Sequence, residues 1–306
     1  MTTSFRIATR ASPLAMAQAE LVAGSLADTH PGNATEMVVC TTKGDQILDR
    51  PLAEVGGKGL FTKEVENALL NGSADIAVHS CKDMATQLPD GLMIAAVLPR
   101  EDPRDSLIGY GIRGLEDLPE NARVGSASLR RRAQLLARRP DLDVVLMRGN
   151  VQRRLSKVAS GEVRATLLAL AGLNRLGLAD EAALVLAPEI MLPAVGQGAI
   201  AVQCRTDDKR TRDALEALDH GESHVAVRAE RAFLKRLDGS CRTPIAGHAV
   251  LVDKTLRFRG LIARPDGTGL REVSRDGPID DPEGLGLDAG EALAPFMDKS
   301  YLESIR

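Results

Sequence analysis

Short apolar runs alternate along the first two-thirds of the chain with longer segments in which apolar residues recur every three or four positions. This alternation favours parallel sheet whose strands are connected by crossover helices. In the first set we predict strands at Phe5–Thr9, Thr35–Cys40, Asp75–His79 and Leu92–Leu98, and helices at Pro13–Leu26 and Phe61–Leu70.

A second set of the same kind begins after Pro99–Pro103, where two prolines interrupt the pattern. A second break at Leu192–Gly198 precedes another apolar strand, Ala199–Gln203. Two α/β lobes connected by two crossing segments would form a hinged cleft, where small ligands bind. Between the breaks we predict strands at Arg123–Gly125, Val144–Met147 and Thr166–Leu170, and helices at Leu129–Arg138, at Val151–Ser160 and up to Leu176.

The last third of the chain has a different pattern. A helical segment, Ser223–Leu237, leads into a loop rich in Gly, Ser and Pro, and a hairpin of Ala246–Val252 with Leu256–Ala263 follows. A helix near Leu287–Tyr301 closes the chain. We therefore predict mixed, mostly parallel sheets in two lobes, residues 1–99 with 198–217 and residues 100–197, and a small α+β domain, residues 218–306.

Composition limits the classes of partner. The chain has 306 residues, 44% hydrophobic and 26% charged, a net charge of -3 and 2% aromatic residues without tryptophan. Nucleic-acid binding uses basic faces and aromatic stacking, so we expect no nucleic-acid partner. The sequence has no run of about twenty apolar residues, so we predict no membrane span. Its first residues do not show the pattern of a signal peptide. We expect a cytoplasmic protein whose four cysteines are reduced thiols.

Basic and hydroxyl side chains follow several predicted strands. Because the carboxyl ends of strands line the ligand crevice of open α/β sheets, these groups are expected to converge. Each arginine taken alone is more often a solvated surface residue, but their repetition at successive strand ends indicates a ligand with several carboxylates or phosphates. The basic and hydroxyl residues are Arg10, Ser12, Lys82, Ser126, Ser128, Arg130, Arg131, Arg148 and Arg154, and Asp83 and Gly149 lie beside them in the sequence.

Two residues have alternative interpretations. Asp83 is either a counter-charge that separates the neighbouring cations or a catalytic group that stabilises a cationic intermediate. Cys241 is either a buried small hydrophobe or, in its turn sequence beside Arg242, a thiolate available for covalent attachment.

The glycine-rich segment 42–59 contains Lys58 but lacks the Walker spacing, so a mobile flap is favoured over a phosphate loop. His220 and His224 are four residues apart, yet no set of Cys or carboxylate residues completes a ligand shell. We expect no metal site.

Taken together, these segments resemble the porphobilinogen deaminases. The match covers nearly the whole chain in order and is weakest after about Ala263. The matching runs are RIATRASPLA (6–15), VGGKGLF (55–61), ADIAVHS (74–80) with Lys82-Asp83, REDPRD (100–105), GSASLRR (125–131), RGN (148–150), AGLNRLGL (171–178), LPAVGQG (192–198) and GSC (239–241).

The resemblance implies periplasmic-binding-protein-like lobes and a dipyrromethane cofactor attached to Cys241 by a thioether. Four porphobilinogen molecules would add to this primer, each losing ammonia, before water releases hydroxymethylbilane. It implies Asp83 as the catalytic group and Lys58 in the flap. It further implies cofactor contacts from Lys82, Asp83, Ser126, Ser128, Arg130 and Arg131, and substrate contacts from Arg10, Ser12, Arg148, Gly149, Arg154 and Arg175.

The sequence departs from the family pattern at Ala85, where proline is usual, and at Glu54 and Arg242. Two rival functions are a two-lobed binding protein and a phosphoribosyl-type transferase, but neither explains an exposed thiol in a third domain. We expect a monomer, because no long apolar surface stripe is evident in the sequence.

Overall fold

The structure is a computed structural model that describes residues 4–42, 44, 59–240 and 243–305. Its strands form two five-stranded sheets and one three-stranded sheet. We call each five-stranded sheet, with the helices packed on it, a lobe, and the three-stranded sheet with its helices the C-terminal domain.

The first lobe has the strand order β2-β1-β3-β10-β4. Strand β1 pairs in parallel with β2 and β3, whereas β10 runs antiparallel between β3 and β4, so four of the five strands point the same way. The elements are β1 (Ser4–Arg10), α1 (Pro13–Thr29), β2 (Ala34–Cys40), α2 (Lys63–Leu70), β3 (Ile76–Ser80), β4 (Leu92–Val97), β10 (Ile200–Arg205) and α6 (Lys209–Glu216).

Helices cover both faces of this sheet. Apolar residues of α1, including Val22 and Leu26, pack with Ile76 of β3 on one face. On the other face Leu69 of α2 packs against Ala77. Burial on both faces explains why β3, β4 and β10 are short, nearly continuous apolar runs that are recognisable in the sequence.

The second lobe repeats this plan with the order β7-β6-β8-β5-β9. Strand β6 pairs in parallel with β7 and β8, and β5 is antiparallel to β8 and β9. The elements are β5 (Asp105–Ile108), β6 (Arg123–Gly125), α3 (Leu129–Arg138), β7 (Asp143–Val145), α4 (Val151–Ala159), β8 (Ala165–Ala169), α5 (Leu170–Arg175) and β9 (Leu184–Leu186).

The C-terminal domain is an antiparallel sheet of order β11-β12-β13 packed against helices. Its β11–β12 turn places Asp253 and Lys254 at φ of 47° and 65°, the left-handed conformation of a tight hairpin. The elements are α7 (Gly221–Arg236), β11 (Ile245–Val252), β12 (Thr255–Ile262), β13 (Arg271–Pro278), α8 (Pro282–Leu293) and α9 (Lys299–Ser304). This topology, with the two mixed sheets, confirms the predicted fold class.

The prediction of one closing helix near Leu287–Tyr301 was wrong. Helix α8 ends at Leu293 and a 3-10 turn, Ala294–Phe296, follows. A new helix starts behind Asp298, whose side chain accepts a hydrogen bond from the Tyr301 N–H at 2.8 Å. The proline in the 3-10 turn has no N–H to donate, so the helical ladder is interrupted there.

A buried carboxylate ties the C-terminal domain to both segments that cross between the lobes. Glu230 of α7 is 0% exposed. It accepts hydrogen bonds from Arg100 Nη1 at 2.6 Å and from Gly196 N at 2.6 Å. The third donor is Ala249 N at 2.8 Å, within the domain itself. One side chain therefore joins the first crossing segment, the second crossing segment and strand β11.

We predict that Glu230→Ala lowers the free energy of unfolding by about 3–5 kcal/mol, because a buried guanidinium and two backbone N–H groups lose their acceptor. Urea unfolding followed by circular dichroism measures the change. The control is Glu291→Ala, which removes an exposed ion pair with Arg236 and should change the midpoint much less. Equal shifts in the two variants would show that the Glu230 contacts contribute little.

Candidate active site

Arg10 and Asp83 meet at the carboxyl edge of the first sheet. Arg10 is the last residue of β1, and Asp83 lies in the 3-10 turn Cys81–Asp83 directly after β3, the parallel neighbour of β1. Arg10 Nη1 lies 3.8 Å from Asp83 Oδ2. The guanidinium also lies over the Phe61 ring, 4.4 Å from its centroid. A cavity of about 70 Å³ opens here, lined by these three side chains.

Lys82 lies beside Asp83 at the boundary between the lobes. Its Nζ donates to Gln197 Oε1 at 3.5 Å. Burial, together with the nearby Arg131 charge, lowers the pKa of Lys82 to about 8, although Asp83 acts in the opposite direction. Burial of the ammonium group thus outweighs the attraction of Asp83.

Asp105, at the start of β5, organises the arginines of the second lobe. It is 0% exposed and accepts hydrogen bonds from Arg130 Nη1 at 2.7 Å and from Arg131 Nε at 2.9 Å. Gln197 Nε2 adds a third, at 3.1 Å. Burial alone would raise the pKa of Asp105, but the two guanidinium groups outweigh it and hold that pKa well below its ordinary value.

Arg148 and Arg154 extend the cationic surface from the second lobe. Arg148 donates from Nη2 to Gly44 O at 3.1 Å, which links the second lobe to the first. Arg154 Nε donates to Gly149 O at 2.9 Å, and Gly149 has a φ of 125°, a conformation that favours glycine. Burial, then the charges of Arg131 and Arg148, lower the pKa of Arg154 to about 10.

The predicted serines are all engaged within their own lobes. Ser12 caps α1 by accepting from Ala15 N at 3.3 Å, and Ser128 caps α3 by accepting from Arg131 N at 3.4 Å. Ser126 Oγ accepts from Ser128 N at 3.2 Å. Their caps hold the starts of α1 and α3 next to the cationic side chains.

Two predicted arginines make internal contacts. Arg130 is 4% exposed and donates also to Leu192 O at 2.8 Å. Arg175 donates to Gly198 O at 2.6 Å, in the second crossing segment. Direct ligand contact by either residue stays a prediction.

Lys58 and Cys241 lie outside the described residues, as do Glu54 and Arg242. The residues on either side of Cys241 are held together, because Ser240 N donates to Thr243 Oγ1 at 2.9 Å and Thr243 Oγ1 donates to Ser240 O at 2.7 Å.

Within the described ranges no group of three or more His, Cys, Asp or Glu side chains could hold a metal ion. His220 instead caps α7, where Ser223 N donates to its Nδ1 at 3.3 Å, and His224 Nδ1 lies 2.8 Å from Asp219 Oδ1. In the same part of the chain, no helix is both long and apolar enough to cross a bilayer.

Two family models match this chain. Residues 5–213 match the dipyrromethane cofactor binding domain of porphobilinogen deaminase, and residues 224–295 match its C-terminal domain. The chain belongs to the porphobilinogen deaminase family.

Curated porphobilinogen deaminases are similar over almost their whole length. The protein from Syntrophotalea carbinolica is 49% identical over 95% of this chain and 92% of its own. The protein from Nitrobacter hamburgensis is 54% identical over 94% of this chain and 92% of its own.

Solved structures of periplasmic binding proteins are less similar to this chain in sequence, and their structural similarity to it is also low. The aliphatic sulphonate binding protein from Escherichia coli has a TM-score of 0.43 and 14% identity, covering 77% of this chain and 70% of its own. A substrate-binding protein of an ABC transporter from Coxiella burnetii also has a TM-score of 0.43, with 16% identity over 70% of this chain and 91% of its own. The fold assignment rests on the sheet topology itself.

The donor set of a porphobilinogen deaminase must fit a dipyrromethane, whose pyrroles carry acetate and propionate groups. Asp105 is already shared by two arginines, so the cleft has more cations than carboxylates. The lowered pKa values of Lys82 and Arg154 have burial as their main cause and neighbouring arginines as the next. Carboxylates placed among these side chains would relieve that repulsion. The residues present therefore fit the cofactor.

Sequence reasoning assigned no role to three residues that organise this site: Phe61, Asp105 and Gln197. Each of these residues lies in a sequence segment that matches the family, and this match was the signal by which they could have been found. Their roles depend on long-range contacts, such as that of Gln197 with Asp105, which no local pattern predicts.

We predict that Lys82 titrates near pH 8 in cofactor-free protein. A lowered pKa means that the ammonium is charged below about pH 8 and neutral above it, whereas bound carboxylates favour the charged form and raise the pKa. NMR titration of the lysine ε-methylene signals, with Lys82→Arg identifying the resonance, measures both values. A midpoint near the ordinary 10.5 without cofactor would contradict the desolvated environment.

Proposed function

We propose that this porphobilinogen deaminase uses Asp83 to polymerise four porphobilinogen molecules onto a dipyrromethane primer and to release hydroxymethylbilane. The observation that carries the assignment of Asp83 is its position beside Arg10, at 3.8 Å, and next to Lys82 at the carboxyl edge of the first sheet. The enzyme is a transferase of tetrapyrrole biosynthesis, as its family membership implies.

Asp83 remains available as a hydrogen-bond acceptor. Its separation from Arg10 is longer than a hydrogen bond, and its side chain is 28% exposed. In this position the carboxylate accepts hydrogen bonds from pyrrole N–H groups and stabilises the positive charge that develops as ammonia leaves the substrate. The same carboxylate can also accept or return a proton at a pyrrole nitrogen. The dipyrromethane, when bound, supplies a terminal pyrrole whose free α-carbon is the nucleophile.

The cationic side chains bind and orient carboxylates from two sides. We assign Lys82 and Arg131, with Ser126, Ser128 and Arg130 supporting them, to the cofactor. We assign the incoming porphobilinogen to Arg10, Ser12, Arg148, Gly149 and Arg154, and the lengthening chain to Arg175. Support comes from the charge distribution: the strand ends of both lobes contribute cations, so that a long anionic chain can be held along the boundary.

Cys241 is the proposed attachment point of the cofactor, through a thioether. The Ser240–Thr243 hydrogen bonds support this assignment, because they fix the backbone on both sides of the thiol. Lys58 is proposed to act in a flap. The departures at Ala85, Glu54 and Arg242 remove no charged group from the proposed site.

The domain limits, the localisation and the oligomeric state are also proposals. We place the domain limits at residues 1–99 with 198–217, 100–197 and 218–306, which agree with the strand content of the three sheets. We propose a cytoplasmic monomer with porphobilinogen as its small-molecule partner. The free thiols Cys40, Cys81 and Cys204 support a reducing compartment.

Replacing Asp83 should abolish turnover without unfolding the protein. We predict that Asp83→Ala and Asp83→Asn each lower kcat by at least ~10²–10³-fold, because the charge that stabilises the cation is lost. Hydroxymethylbilane formation and ammonia release measure turnover, and thermal unfolding monitors the fold. Asp90→Ala, which removes an exposed carboxylate of the same lobe, is the control. Near-normal turnover of Asp83→Asn would refute the electrostatic role.

Intact mass under denaturing conditions tests the covalent link. We expect the wild-type chain to exceed its 32.6 kDa polypeptide mass by two linked pyrrole units, and the Cys241→Ser chain to show the bare mass. Cys204→Ser should keep the added mass. An added group that persists in Cys241→Ser would place the attachment elsewhere.

A further inference from the structure

A second cavity, of ≈ 620 Å³, lies between the first lobe and the C-terminal domain. Its walls come from the segment after Asp83, from β4 and from helices α7 and α8. It shares no lining residue with the cavity beside Asp83. Its volume lies in the range that accommodates a drug-sized organic molecule. We call it the α7 groove.

The floor of the α7 groove is apolar. Ile94 of β4 meets Val227 and Ala232 of α7, which are 1% and 8% exposed, and Leu287 of α8 adds a side chain that is 43% exposed. The floor continues into the small core cluster in which Val227 packs with Met84 and Cys81. Such a floor favours a ligand with an apolar body over a fully polar metabolite.

The rim of the α7 groove is cationic. Helix α7 contributes Arg228, Arg231, Lys235 and Arg236, whereas Glu283 is the one acid among the described residues that line the groove. Arg228 is paired with that acid, Nε to Oε1 at 2.6 Å, and Arg236 is paired with Glu291, which lies outside the groove lining, while Lys235 is exposed. This local excess of positive charge occurs in a chain whose net charge is -3.

We propose that the α7 groove binds a small organic anion, an apolar body that carries a carboxylate or sulfonate group, and that its occupancy regulates turnover. The apolar floor would bury the body of the ligand, and Lys235, with Arg231 nearby, would bind the anionic group. Charge complementarity selects an anion over a neutral or cationic compound of the same size.

The groove contacts the segment that follows Asp83 and the helix that leads towards Cys241. Arg231 donates from Nη2 to Ala85 O at 2.7 Å and to Thr86 O at 3.2 Å, in the segment that directly follows Asp83. At its other end α7 leads through Gly239 and Ser240 to Cys241. A ligand bound here would contact both the segment that follows Asp83 and helix α7, and would restrict their relative movement. This regulatory part rests on the proposed function, whereas binding itself does not.

Fluorescence of 8-anilinonaphthalene-1-sulfonate, an aromatic anion, tests binding to the holoenzyme. We expect one saturable site, a dissociation constant raised at least ~10-fold in Leu287→Glu/Lys235→Glu, and an intermediate rise in Lys235→Glu alone. The matched control, Leu302→Glu/Lys299→Glu, changes an exposed leucine and lysine of α9 and should bind as the wild type does. Unfolding midpoints verify that all variants fold.

Two results would overturn the binding site: unchanged affinity in both groove variants, or displacement of the probe by porphobilinogen, which would place the probe in the active-site cleft. For regulation we expect saturating probe to lower kcat at least ~2-fold in the wild type and the control, but not in the double groove variant. An unchanged kcat with bound probe would refute the regulatory role, but the proposed binding site would stand. Absence of any porphobilinogen turnover without probe would refute the proposed function, while the fluorescence result would still decide the site.

Discussion

A buried carboxylate organises the cationic cleft. Asp105 accepts hydrogen bonds from Arg130, Arg131 and Gln197 at the point where the first crossing segment enters the second lobe. Without that charge, two guanidinium groups would be buried side by side, at a cost of several kcal/mol. Because the carboxylate is shared between them, Arg131 remains a net cation next to Lys82. The site thus combines a rigid anchor with unneutralised positive charge.

Asp83, the second acid of the cleft, is only loosely paired with Arg10. Arg10 stacks on Phe61 and lies near Asp83, so at least two contacts contribute to its position. A tighter salt bridge would occupy carboxylate oxygens of Asp83 that are able to accept further hydrogen bonds. Burial disfavours the charged forms of Lys82 and Arg154 and lowers the pKa of each.

The sequence pattern identified most of the first lobe and the helices, because apolar strands buried on both faces differ clearly from amphipathic helices. It did not predict β5, whose first residues, Asp105 and Ser106, are polar yet 0% exposed. Strand β13, of sequence REVSRDGP, is mostly polar and was also missed. The convergence of Arg10, Lys82 and Asp83 at the carboxyl edge of the first sheet was predictable from topology. The supporting contacts of Glu230 and Gln197 were not, because their partners lie far away in the sequence.

The position of β10 in the first sheet has a consequence for how the chain assembles during synthesis. β10 lies between β3 and β4, yet it follows the entire second lobe in the chain. The strands of the second sheet are therefore contiguous in sequence, and this sheet can close while the ribosome is still translating. The first sheet instead keeps a gap between β3 and β4 until Ile200–Arg205 emerges. Nascent first-lobe strands thus have two unpaired inner edges, the kind of surface that chaperones protect.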